Sequence, residues 1–186
     1  YLYLTTLGTE GLKEATRQAI ISANYLKIML EDEYKVYSSN KYGLVGHEFI
    51  IDLREFKKFG ITEKDIAKRL LDYSFHPPTM SWPILGSVMI EPTESESKEE
   101  LDRFIDAMKS IREEIREIER GEFTKENNVL VNSPHPIKDI TDWKFDYSIN
   151  KACFPIKSLH DNKFWPTHSR IDDVYGDKNL TLKLVR

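Results

Sequence analysis

Residues 46–54 read Gly46-His47-Glu48-Phe49-Ile50-Ile51-Asp52-Leu53-Arg54, and this run decides the fold. Phe49, Ile51 and Leu53 alternate with Glu48, Asp52 and Arg54, and only Ile50 is out of step. That is the period-two pattern of a strand with one buried face. Ser87 to Glu91 reads as a second strand. Val36-Tyr37 reads as a short third one, ended by the polar run Ser38-Ser39-Asn40-Lys41 before Gly43. A sheet this small hides its apolar face only under helices, so covering helices must be encoded nearby.

Three helical patterns meet that need. Residues 10 to 31 place Leu12, Ala15, Ala19, Ala23, Leu26 and Leu30 on one face at steps of three and four, with Thr9 as the expected N-cap. Thr62-Glu63-Lys64-Asp65 has capping-box spacing and opens a helix whose apolar face is Ile66, Leu70 and Tyr73. Pro77-Pro78 should end it, because neither residue donates a backbone hydrogen bond. Ser97-Lys98-Glu99-Glu100 is a full capping box before the strongest helix. Its buried stripe is Leu101, Phe104, Ile105, Met108, Ile111, Ile115 and Ile118, and Gly121 stands where a C-terminal cap belongs. The charged residues Arg112, Glu113, Glu114, Arg116, Glu117, Glu119 and Arg120 read as its salt-laced outer face.

After Gly121 the texture changes. Half of the eight prolines and eight of the 21 aromatic residues fall in residues 122 to 186, with little periodicity. Such a segment makes no core of its own, and its aromatic residues anchor it to another surface. The expected architecture is α+β: a small antiparallel or mixed sheet with helices on one face over residues 1–121, and an extended aromatic- and Pro-rich tail, residues 122–186, packed over it.

Composition removes several functions. A net charge of −4 argues against a nucleic-acid binder, since phosphate affinity comes from clustered Lys and Arg. No apolar run approaches the roughly 20 residues that span a bilayer. The single cysteine, Cys153, leaves no internal disulfide framework. Tyr1 to Thr6 has no basic flank or cleavage site, and reads as a cut through an existing element rather than a signal peptide.

The candidate site residues lie on irregular backbone. Phe75-His76-Pro77-Pro78-Thr79-Met80-Ser81-Trp82-Pro83 carries an imidazole and two hydroxyls on a proline-stiffened segment, which holds donors near a ligand with little entropy left to lose. His76 serves equally as a helix-end group that binds the last carbonyls. Arg170 offers a bidentate donor for a carboxylate or phosphate, and equally a salt bridge that staples the tail. His47 and Glu48 are sequential residues of a strand, so they should point to opposite faces and not pair. His47, His76, His135, His160 and His168 show no metal-ligand spacing, so no metal site is expected. Cys153 has no adjacent histidine and reads as a small buried residue.

Beyond these local patterns, Gly46-His47-Glu48-Phe49, His76 to Pro83, and Ile90-Glu91-Pro92-Thr93-Glu94-Ser95-Glu96 occur here in a fixed order. With Gly11-Leu12-Lys13-Glu14-Ala15-Thr16, Ser133-Pro134-His135, Asn162-Lys163-Phe164-Trp165-Pro166 and Tyr175-Gly176-Asp177, they closely resemble the C-terminal part of the glycine dehydrogenase (decarboxylating) family, the P-proteins of the glycine cleavage system. Pro77 stands where that family usually has alanine, and Ser74 where it usually has glycine. The end, Leu180-Thr181-Leu182-Lys183-Leu184, lacks the cysteines common there.

The resemblance implies the small C-terminal domain of a fold-type-I pyridoxal-phosphate enzyme. In such an enzyme glycine loses CO2, and the aminomethyl group passes to the lipoyl arm of the H-protein. It implies as partners the lipoylated H-protein, the rest of the P-protein and a second P-protein subunit. The implied location is the mitochondrial matrix in a eukaryote and the cytoplasm in a bacterium. The family sets its cofactor lysine in a His-Lys-Thr motif, and no histidine here is followed by lysine. The resemblance therefore implies no catalytic residue in this chain, no stable binding of pyridoxal phosphate by it alone, and no activity alone. His76, Thr79, Ser81 and Arg170 are expected near the substrate cleft. The competing reading is a non-catalytic α+β interaction domain.

Overall fold

The computed structural model describes residues 1–180. The positions after Leu180, including most of the end compared above for its cysteines, lie outside the described residues. The chain is α+β. Four short strands, β1 (Lys35–Val36), β2 (Phe49–Asp52), β3 (Thr79–Met80) and β4 (Ser87–Ile90), form one sheet in the order β1-β2-β4-β3, and every neighbouring pair is antiparallel. Phe49 faces Ile90 and Ile51 faces Val88 across the central pair. All four are buried, so they make the apolar face that the alternation in residues 46–54 requires.

Three helices cover that face: α1 (Leu2–Leu30), α2 (Glu63–Asp72) and α3 (Lys98–Glu119). Ile66 and Leu70 from α2, and Leu101, Ile105, Met108, Ile111 and Ile115 from α3, join the strands in one core. Each such side chain taken out of water contributes about 1.5–3 kcal/mol. Phe104 sits only partly buried at the edge, where its ring meets Phe75 edge-on with centroids 5.2 Å apart.

The first helix starts earlier than periodicity predicts. It runs from Leu2 and is broken at Gly8, whose φ of 60° and ψ of −170° no helix contains. The expected start at Thr9 marks the second segment. Ala23, Leu26 and Leu30 are buried, whereas Leu2, Tyr3, Leu4, Ile20 and Ile21 are exposed. The apolar stripe is thus covered only along its C-terminal part.

Helix ends follow local chemistry with two corrections. In α2, Asp65 accepts from the Thr62 backbone N–H at 2.8 Å and from the Thr62 hydroxyl at 2.6 Å. In α3, Ser97 accepts from the Glu100 backbone N–H, but the Glu100 carboxylate turns to Arg103 at 2.5 Å, so only half of the expected box forms. Gly121 ends α3 as expected, at φ 77°, with Gly121 N–H on the Ile118 carbonyl and Glu122 N–H on the Glu117 carbonyl. Pro77-Pro78 does not end α2. The same two-bond closure acts earlier, through Ser74 N–H to the Leu71 carbonyl and Phe75 N–H to the Leu70 carbonyl, with Ser74 at φ 64°. A serine therefore occupies a left-handed position that favours glycine.

The segment after Gly121 packs over the domain, but it is a series of short helical turns rather than an extended strap. These are α4 (Val129–Asn132), α5 (Ile149–Cys153) and α6 (Asp173–Lys178), with single 3-10 turns at Ile137–Asp142 and Lys157–Leu159. Asn128, Ser148 and Asp172 each cap one turn with a side-chain oxygen, and such short caps leave no long periodicity to read. Val129, Leu130, Tyr147, Ala152, Cys153 and Leu159 are buried in the common core.

Candidate functional site

The left-handed turn at Ser74 throws the chain out of α2, and residues 75–81 then run to β3 at the edge of the sheet. His76 and Thr79 are exposed and border one cleft of 530 Å³. Phe75, Phe104 and Leu101 form its apolar wall, and Glu91, Glu96 and Glu100 its acidic rim. His76 also borders a second recess of 240 Å³, whose other wall is the C-terminal segment. The imidazole thus stands between the two concave surfaces.

The other two expected site residues are engaged elsewhere. Ser81, at φ 54°, donates its hydroxyl to Glu63 at 2.7 Å and accepts from the Gly86 N–H at 3.2 Å. It borders neither space. Arg170 donates to the Ser133 carbonyl at 3.0 Å, to the Leu130 carbonyl at 3.0 Å and to Asp65 at 2.5 Å. Its guanidinium pins the C-terminal segment onto α4 and the start of α2, while its neighbour Ser169 borders the smaller recess. The structure therefore gathers His76 and Thr79 at one cleft, and Ser81 and Arg170 do not border it.

Sequence reasoning missed a buried polar network behind the same turn. Arg69 is fully buried on α2 and reaches Glu114 at 2.6 Å, Asp72 at 2.8 Å and the Ala152 carbonyl at 2.6 Å. Asp72 in turn accepts from the His135 backbone N–H at 2.7 Å and from His135 Nδ1 at 2.8 Å. An ionised carboxylate only accepts, so Nδ1 carries the proton, and Nε2 meets the Tyr147 hydroxyl at 2.8 Å. Burial opposes ionisation of Asp72, but the His135 bonds and the Arg69 charge outweigh it and hold the carboxyl below its usual range. Rings of Trp143, Phe145 and Tyr147 enclose the imidazole at centroid distances of 5.8, 5.1 and 5.7 Å. Lys163 closes the network from the tail side, donating to the Asp72 carbonyl at 2.5 Å.

Glu114 corrects the reading of an outer charged face, because it is buried and receives Arg69 and the Tyr73 hydroxyl. A signal was present: position 114 lies three after Ile111 and four before Ile118, on the apolar stripe itself. His47 is a second correction. It lies before β2 rather than within it, so strand alternation does not separate it from Glu48. Its Nε2 is 3.8 Å from Glu48 and 3.9 Å from Glu91, a trio of two exposed residues and the half-buried Glu48. Cys153 is buried, and that burial pushes its thiol up to about 11, which suits packing and not nucleophilic work.

The larger cleft does not fit a whole pyridoxal phosphate. Among the described residues no lysine borders it to form a Schiff base, and Glu91, Glu96 and Glu100 would repel a phosphate. No helix of the described residues is long and apolar enough to cross a membrane.

A small antiparallel sheet under three helices, with an open cleft at its edge, defines a small α+β domain. Sequence comparison gives the family. Residues 15–135 match the profile described as glycine dehydrogenase, C-terminal domain. The chain is 57% identical over 183 residues to the mitochondrial glycine dehydrogenase (decarboxylating) of Dictyostelium discoideum, covering 97% of this chain and 18% of that protein. It is 55% identical over 182 residues to glycine dehydrogenase (decarboxylating) 1 of Colwellia psychrerythraea, and 54% identical over 182 residues to the glycine dehydrogenase (decarboxylating) of Christiangramia forsetii. Each alignment covers 97% of this chain and 19% of the relative. The chain belongs to the glycine dehydrogenase C-terminal domain family. It spans about a fifth of the length of the curated relatives it matches.

Proposed function

We propose that this chain is the C-terminal part of a glycine-decarboxylating P-protein, with residues 1–121 as its small domain and residues 122–186 as a cover. The observation that carries this reading is identity of more than half over nearly the whole chain to proteins named for that activity. In this reading the whole protein acts on glycine with pyridoxal phosphate, which supplies the electron sink for loss of CO2. Its aminomethyl product passes to the lipoylated H-protein. The reactive lysine belongs to a part of the protein outside this chain. In this reading the compartment is the mitochondrial matrix in a eukaryote and the cytoplasm in a bacterium, and the Dictyostelium relative is named as mitochondrial.

The chain's own residues then border and shape the site. His76 and Thr79 present a ring and a hydroxyl at the cleft. Ser81, fixed by Glu63 and Gly86, holds the turn into β4. Arg170 acts as a positioning residue, because it holds Ser169 and its neighbours against the small recess. The uncovered apolar surface of α1, with Leu2, Leu4, Ile20 and Ile21 exposed, supports a contact with the remainder of the protein and with a second subunit.

The test is direct. The full-length protein that contains this chain should exchange the carboxyl group of glycine with bicarbonate when lipoylated H-protein is supplied. The isolated chain should give no stoichiometric, borohydride-trapped adduct of pyridoxal phosphate at one lysine. Absence of exchange by the full-length protein would leave the non-catalytic interaction domain as the better reading.

A further inference from the structure

The 240 Å³ recess between α2 and the C-terminal segment has a chemistry that the proposed reaction does not use. Leu71 and Phe164 are among its apolar lining, and Lys68, His76, Thr167, His168 and Ser169 among its polar lining. The Thr167 hydroxyl is 2.8 Å from His168 Nδ1, which leaves Nε2 as that ring's open position. Lys68, His76 and Ser169 make no side-chain hydrogen bond and no ion pair among the described residues. Among the described residues, no carboxylate borders the recess.

The surrounding charges reinforce this. Arg170 is paired with Asp65 at 2.5 Å, and Lys64 with Asp173 at 2.5 Å. Those two pairs cancel, and the field of Lys68 reaches Asp173 without forming a contact. Lys68 is the cation lining the recess, and it has no ion pair of its own among the described residues. A recess with one net cation, two imidazoles, an open hydroxyl and no acid is complementary to a compact negative group. Its 240 Å³ lies below the ~300–1,000 Å³ of ordinary ligand pockets and has room for a carboxylate or phosphate group together with a small attached group or several waters.

We infer that this recess is a small-oxyanion site, in which Lys68 and His168 hold a carboxylate or phosphate group, with His76 and Ser169 alongside. It shares His76 with the cleft above, but it stands on the recess itself and survives if the glycine reaction is not found.

Titration calorimetry on the full-length protein, saturated with pyridoxal phosphate, tests it with inorganic phosphate and acetate in separate runs. One anion per chain should bind, at least 10-fold more weakly in both Lys68→Met and His168→Ala, while the melting temperature of each variant stays near the parent's. Binding of phosphate alone assigns the site to a free oxyanion, and binding of acetate alone assigns it to a carboxylate. Either result supports the site. No binding of either anion, or binding unchanged in both variants, overturns it. So does a crystal structure of the full-length protein with another part of the polypeptide filling the recess.

Discussion

Asp72 receives both the backbone N–H and the Nδ1–H of His135, at 2.7 and 2.8 Å, across 63 residues of chain. This pair joins the end of α2 to the C-terminal segment inside the core, where Asp72 and His135 are both fully buried. Asp72→Ala removes the acceptor of His135 and one of the two carboxylates facing Arg69. It should cost about 3–5 kcal/mol, as expected for breaking a buried charged pair from one side. Chemical denaturation measures this, and a loss below about 1 kcal/mol would contradict the placement. Because the folded carboxyl titrates below its usual range, its contribution is present above about pH 4 and is lost as pH falls through the folded value.

Asp52 supplies the second acid-dependent increment. Hydrogen bonds from the Arg54 side chain, at 2.8 and 2.7 Å, outweigh burial and bring its carboxyl down to about 2. The unfolded value is about 3.9, so the folded state gains stability that is complete above about pH 4 and disappears as pH falls through about 2. The increment is at most about 2.6 kcal/mol for this shift. Arg54→Met should return the Asp52 carboxyl toward its ordinary range in a carbon-13 titration and flatten the difference in stability between pH 2.5 and 6. An unchanged titration would remove Arg54 as the cause.

Ser74 combines a cost with a gain. Its left-handed backbone costs about 1–2 kcal/mol relative to glycine. Against that, its hydroxyl accepts from the Phe164 N–H at 2.8 Å and donates to the Phe164 carbonyl at 3.2 Å. Ser74→Ala keeps the backbone cost and loses both bonds, so it should destabilise by about 1–3 kcal/mol. Ser74→Gly relieves the backbone and should come out close to neutral. In both variants, hydrogen exchange at Phe164 should quicken. Protection that stays at the parental level would show that the tail is held without this contact.

Two residues of the buried stripe of α3 make a paired test. Ile111 is fully buried, and Ile111→Ala should cost about 2–5 kcal/mol. Glu114→Ala should cost a comparable 3–5 kcal/mol, since it leaves Arg69 with one carboxylate in the core. A surface glutamate would cost less than about 0.5 kcal/mol, and that value by denaturant titration would restore Glu114 to the solvated face.

Much of the sheet and helix pattern was legible because it depends on neighbours in sequence. Alternation at Phe49, Ile51 and Leu53 gave β2, Ser97 gave the start of α3, and Gly121 its end. What stayed hidden depends on distant partners. Arg69 meets Glu114 across 45 residues and Ala152 across 83, and no local period encodes such contacts. The tail was legible as a cover from its aromatic residues. Its short helices were not, because turns of four to six residues fit inside any polar stretch with a cap. At the candidate site, the irregular backbone that carries His76 and Thr79 was readable from its prolines. The three bonds of Arg170 were not, since a guanidinium that binds a ligand and one that staples a tail look alike in sequence.

His76 and Arg170 should now separate in experiment. His76 is exposed at the cleft and makes no side-chain bond among the described residues, so His76→Ala should leave the melting temperature of the full-length protein near the parent's. If it borders the substrate as proposed, glycine–bicarbonate exchange should fall at least about 10-fold, equivalent to about 1.4 kcal/mol of transition-state stabilisation. Arg170 joins Asp65, Leu130 and Ser133, so Arg170→Ala should cost about 2–4 kcal/mol of stability, with the loss of exchange following the loss of fold. Arg170→Lys keeps the charge but not the fork that reaches three acceptors, and should recover only part of the stability. Exchange that survives in folded His76→Ala would place His76 in the scaffold. Exchange lost in an Arg170→Ala protein of parental stability would place Arg170 at the substrate instead.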